Sequence, residues 1–339
     1  MMNKRIEEIM TSMQSFNENA YHKSELLPEL INLQQEVVNL TFNKDHAEKG
    51  ILRLQDVEKH FEVMNKNLGN VADKELEKFK EGSLSVCNMI KAEISGNKGE
   101  QKVFGRLETL KGRHIILKNV ELRDDGARTE LDAVVITHKA VFIIEVKNTA
   151  KDVFIDEIGN YYRNGDYQKL DSNIVDKVLT KEQLLRRALA TIGYEDVEIK
   201  SLVVFTDNYI EVKNYFKQLT TCFLSQMTYI IDEYKSEEGF SSGEMEKMGR
   251  AIEASNCYEA YPVEMDMNQF KHDFATLMAT LEAAAEDLKK EEAEQQKNPL
   301  QNRIKKVLNS RIVKEGAKTV ITVAATYMIT VAAGNMLNR

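Results

Sequence analysis

The chain has 339 residues, enough for two or three domains, and its 42% hydrophobic content is enough for a real core. A net charge of −8 excludes a protein that coats nucleic acid non-specifically, although a bound cation can still supply positive charge at one small site. Cys87, Cys222 and Cys257 are scattered, with no CxxC or Cys/His cluster, which excludes a zinc ribbon and a disulfide framework and fits a reducing, cytoplasmic setting.

The N-terminal "MMNKRIEEIMTSMQ" has no apolar run of the secretory kind. With three prolines in the whole chain and many Glu and Lys, residues 1–95 read as helical. Leu26, Leu27, Leu30, Leu33, Val37 and Leu40 form one apolar group. Leu54, Val57, Phe61, Met64, Leu68 and Val71 recur in steps of three and four, a short coiled-coil seam. Between them "FNKDHAEKG" predicts a bend. The pattern fits a helical hairpin or dimerising arm, which would make the protein a homo-oligomer, and fits equally a helical pair packed within one chain. Gly96 and Gly99 in "EISGNKGE" predict a helix break and a boundary near 95. A new helix then begins with Glu100 in its first turn, where a carboxylate suits the helix dipole.

Residues 96–235 read as an α/β domain with a mixed sheet. "HIILKNVEL" (114–122), "ELDAVVIT" (130–137) and "AVFIIEVKN" (140–148) are strands, the last two joined by a tight turn. "DVFIDEIGNYYRNGD" reads as a further hairpin turning near Gly159. A helix follows, with Ile174, Val178, Leu185 and Leu189 on one face and Gly193 at its stop. "IKSLVVFTD" (199–207) is a buried strand. Residues 236–298 are helical, with Ser241 and Glu244 at capping-box spacing and a stripe of Phe270, Phe274, Leu277 and Leu281.

Three charges interrupt the apolar run "TELDAVVITHKAVFIIEVKN" (129–148). By alternation Asp132 shares a face with Val134 and Ile136, and Glu145 and Lys147 share one with Ile143. Hairpin pairing brings Asp132 beside Glu145 or Lys147. Two carboxylates side by side repel unless a cation lies between them, and their oxygens suit Mg²⁺ or Mn²⁺. Lys147 stands about 7 Å further along that face, where an ammonium can orient a water or steady a phosphate oxygen. The competing reading is a surface Glu–Lys pair at a strand end.

"GEQKVFGRLETL", "TELDAVVI" and "VFIIEVKN" resemble the nuclease-related (NERD) domain of the PD-(D/E)XK restriction-endonuclease-like superfamily, over roughly residues 96–215. The resemblance implies a restriction-endonuclease-like core, a mixed sheet flanked by helices, and a Mg²⁺-dependent endonuclease-like phosphodiesterase. Its substrate would be nucleic acid, DNA ahead of RNA, with a part in bacterial defence against foreign nucleic acid. It implies that Asp132, Glu145 and the Val146 backbone carbonyl hold the metal, that Lys147 activates or positions water, and that Glu100 completes the acidic cluster. Many relatives carry Asn-x-x-x-Gln at the start of the helix after the core strands; here "NIVDK" places Lys177 where Gln is expected. Arg163, Lys169, Arg186 and Arg187 are candidate phosphate contacts, each weighed against a solvated helix face, and Tyr161 and Tyr162 are weighed between base stacking and hairpin packing. The competing function is a non-catalytic helical scaffold or signalling protein, free or membrane-tethered, whose nuclease-like core binds nucleic acid or a partner without cleaving.

Residues 299–318 carry Arg303, Lys305, Lys306, Arg311, Lys314 and Lys318. The stretch 319–337 is uncharged and just long enough to span a bilayer. It reads either as a membrane contact, with the basic stretch on the cytoplasmic side, or as an oligomerising helix.

Overall fold

The protein is seen here in a computed structural model that describes residues 7, 9–11, 13, 23–38, 51–68, 71–164, 169, 173–237, 239–257 and 265–297. Two compact units emerge, one from residues 1–92 with 260–339, the other Glu93–Glu259. The apolar 319–337 segment lies outside the described residues, and among those described no helix is long and apolar enough to cross a membrane.

The first unit is helical. It contains α1 (Lys23–Leu33), a π-helical turn (Gln34–Val38), α2 (Leu54–Leu68), the first part of α3 (Asp73–Leu107) and α7 (Met267–Lys297). The seam read in the sequence is buried within the chain itself. Val57, Phe61 and Met64 join Phe79, Phe270 and Phe274 in one core, while Val71 remains exposed. The Phe79 ring lies 5.7 Å from Phe61, 5.5 Å from Phe270 and 5.6 Å from Phe274. Gly82 allows this approach, because a Cβ there would overlap the Phe270 ring. Gln34 is fully buried in the unit, where it accepts from Leu52 N at 2.8 Å and donates to Leu52 O and Cys87 Sγ, both at 3.1 Å. Both the oxygen and the nitrogen of that amide are therefore engaged, as burial requires.

The second unit is α/β. Its main sheet runs β1 (His114–Asp124), β2 (Ala127–Thr137), β3 (Val141–Lys147), β6 (Ile199–Phe205), β8 (Thr220–Phe223) in that spatial order. The first three strands pair antiparallel and the last three parallel, so the sheet is mixed. A smaller sheet is ordered β5 (Tyr161–Arg163), β4 (Val153–Ile155), β7 (Val212–Asn214). Helices α4 (Ile174–Ala190) and α6 (Ser242–Ala254) pack on one face through Leu184, Leu185, Met245 and Met248. The end of α3 and α5 (Leu224–Asp232) cover the other through Val103, Leu107, Met227 and Ile231. With both faces covered, β3 is buried from Val141 to Glu145.

The expected break at Gly96 and Gly99 is absent: α3 is continuous through both. Gly99 has a packing reason instead. A Cβ there would stand 2.6 Å from Asn148 Cβ, so the glycine lets α3 close onto the end of β3. The Ser241–Glu244 capping box forms as expected, and Gly159 takes the positive φ of +86° that the β4–β5 turn needs.

Candidate active site

The β2–β3 register places the charged residues. Ala133 pairs with Ile144, so the next row of the ladder sets Asp132 across from Glu145. Asp132 Oδ2 accepts from Val146 N at 2.7 Å, fixing the carboxylate against β3. Lys147 Nζ stands 3.0 Å from Glu145 Oε1 and lies over the Tyr161 ring, 5.9 Å from its centre. Asp132, Glu145 and Lys147 are thus one constellation, mostly buried, which excludes the exposed Glu–Lys pair at a strand end.

A fourth residue completes it. Lys181 on α4 hydrogen-bonds Glu145 Oε2 and stands 3.9 Å from Asp132 Oδ1. Its side chain is only 8% exposed. The cation that the paired carboxylates demanded is therefore supplied by the chain itself. Lys181 thus lies within reach of both carboxylates and offsets their mutual repulsion. The signal for Lys181 was present in the sequence: it falls on the apolar stripe between Val178 and Leu185, where a charge is out of place.

Burial alone would push the Glu145 carboxyl up, but Lys181 and then Lys147 outweigh it and hold it down at about 2. Burial alone would lower the Lys181 ammonium. Glu145 and Asp132 outweigh that and raise it above the ordinary lysine value.

Asn148 ties the end of β3 to its surroundings. Its Nδ2 donates to Ser95 O at 2.7 Å and Ser95 Oγ at 3.1 Å on α3, and its Oδ1 accepts from Thr206 Oγ1 beyond β6. Glu100, one residue after Gly99 on the same helix, is buried. Among the described residues no group of three or more His, Cys, Asp or Glu side chains is gathered closely enough to hold a metal.

Asn119 departs from regular strand geometry within β1. Its φ of +52° takes it out of the ladder between the Lys118–Ala133 and Val120–Leu131 pairs, across from Asp132. Its Oδ1 is buried and accepts no hydrogen bond. The paired Asp132 and Glu145 carboxylates offer hard oxygen donors, the kind that fits Mg²⁺ or Mn²⁺ rather than a softer metal.

The remaining candidates have structural roles where their partners are seen. Asn173 caps α4, accepting from Val175 N at 2.9 Å and Asp176 N at 3.0 Å, and its Nδ2 donates to Ile158 O. Lys177 is half-buried in the first turn of that helix. Arg186 donates to the Glu195 and Val197 carbonyls, and Arg187 pairs with Asp124. Arg163 lies half-buried on β5, and Lys169 is exposed at a bridge to Tyr162. Tyr161 is core, and Tyr162 stacks on Phe154 at 4.9 Å, so both serve packing.

Residues 95–206 match the family model of the nuclease-related domain, a family of the restriction-endonuclease-like superfamily. The match runs from the Ser95 that holds Asn148, through Asp132, Glu145, Lys147 and Lys181, to Thr206. No curated protein and no solved structure matches the chain.

Proposed function

We propose that the nuclease-related domain of this chain is a metal-dependent nuclease that hydrolyses phosphodiester bonds of nucleic acid, DNA ahead of RNA, in defence against foreign nucleic acid. The observation that carries this reading is the row Asp132–Glu145 across β2–β3, with Lys147 beside it on the same face. Asp132 and Glu145 would hold Mg²⁺ or Mn²⁺, with the Val146 carbonyl as a further ligand. A cation held there would supply Lewis-acid charge to a phosphodiester oxygen. The Val146 N–H holds Asp132 by its Oδ2, and its Oδ1 faces Lys181 at 3.9 Å. The Lys147 ammonium, held by Glu145 and the Tyr161 ring, orients a water or steadies negative charge gathering on the phosphate. Glu100 acts from α3 at one remove, and its loss weakens cleavage less than loss of Asp132 or Glu145.

One observation favours a second reading. Lys181 already neutralises the acid pair, so a core that binds nucleic acid without cutting it is consistent with the same geometry. Incubating the full chain with plasmid, linear duplex and single-stranded substrates in Mg²⁺, Mn²⁺ or EDTA separates them. Metal-dependent cleavage that Glu145→Ala abolishes supports the nuclease; binding with no cleavage of any substrate supports the second reading.

A further inference from the structure

Lys181 has a consequence for any metal at this site. Two carboxylates, Asp132 and Glu145, face two ammoniums, Lys147 and Lys181, so the four charges balance. A divalent cation added to that set would leave a surplus of two positive charges where little water reaches to screen them. Lys181 is also the group placed to compete, because its Nζ reaches both carboxylates from a position that is itself nearly closed to solvent.

We infer that Lys181 is an internal counter-ion standing in the divalent-cation position, and that metal enters only as the Lys181 ammonium withdraws from Asp132 and Glu145. This rests on the metal-binding reading above. It makes Lys181 a positioning residue: it keeps the acid pair paired and folded without metal, and it weakens metal affinity. The side chain has the means to withdraw. Lysine carries its charge on a flexible four-carbon stem, and α4 can remain packed through Ile174, Val178 and Leu185 while the stem changes rotamer.

The test is calorimetric titration of Mn²⁺ into the full chain, as wild type, Lys181→Met, Lys181→Gln and Asp132→Ala, with melting curves in EDTA and in Mn²⁺. Lys181→Met is expected to bind Mn²⁺ at least tenfold more tightly than wild type. It should melt lower than wild type in EDTA and gain more from Mn²⁺. Lys181→Gln keeps a neutral donor for Glu145 and carries the same test if the methionine variant does not fold without metal. Affinity unchanged or weakened in both Lys181 variants, with wild-type binding lost in Asp132→Ala, would overturn the counter-ion role and leave the metal site standing. No Mn²⁺ binding by any of the four would overturn both.

Discussion

Glu145→Gln tests the charge balance of the site without changing its shape. In the folded protein Glu145 is held near 2, against an ordinary value of 4.5, by Lys181 and Lys147. At 1.36 kcal/mol per unit, that depression corresponds to roughly 3 kcal/mol of stability. Because the folded value lies below the unfolded one, the contribution is present above about pH 4.5 and is lost as pH falls toward 2. Glutamine should therefore destabilise the α/β unit by about 3 kcal/mol at pH 7, with Lys181 left facing the Asp132 carboxylate across 3.9 Å. The penalty should shrink steadily below pH 4.5. Hydrogen exchange in the β3 peptide, buried from Val141 to Glu145, reports opening of this unit directly. A variant within about 0.5 kcal/mol of wild type at pH 7, or a penalty equal at pH 7 and pH 3, would refute the reasoning.

Three other outcomes follow from the same structure. Gln34→Leu leaves the Leu52 N–H and carbonyl without their side-chain partners, so urea denaturation should report a loss of about 1–3 kcal/mol. Burial pushes the Cys87 thiol up to about 11 and the Cys222 thiol to about 12, so at pH 8 mass spectrometry after iodoacetamide should find Cys257 modified first and the other two only on unfolding. Deleting residues 1–92 removes Phe61 and Phe79 from Phe270 and Phe274, so light scattering should detect aggregates; a monodisperse truncated protein of lower mass would instead support a dimerising arm.

Much of the site was legible in the sequence because strands have a period of two. Asp132, Glu145 and Lys147 interrupt apolar alternation, and a tight turn from Thr137 to Ala140 limits the register, so spacing brings them near one another but leaves open whether Asp132 meets Glu145 or Lys147. Lys181 could not be placed in the same way. It comes from 36 residues beyond Glu145, and its approach depends on how α4 is rotated on the sheet, which strand spacing does not specify. The glycines of "EISGNKGE" misled for a related reason. A helical glycine costs about 1 kcal/mol relative to alanine, which argues for a break, but close packing of α3 on Asn148 offsets that cost and is a tertiary fact. Strands β7 and β8 have three and four residues, too few for periodicity to register. The seam of Leu54 to Val71 was visible as a pattern, but a pattern does not say whether its partner is another chain or, as here, Phe79 and the aromatic stripe of α7.

The most direct test of the proposed chemistry is a paired measurement on Lys147→Ala and Asp132→Ala, with plasmid cleavage in Mn²⁺ followed alongside Mn²⁺ binding. Lys147 is not a metal ligand in this account, so its loss should abolish cleavage while Mn²⁺ still binds; loss of Asp132 should abolish both. Cleavage at the wild-type rate by Lys147→Ala, or by Asp132→Ala, would contradict the assignment of this constellation as a nuclease site.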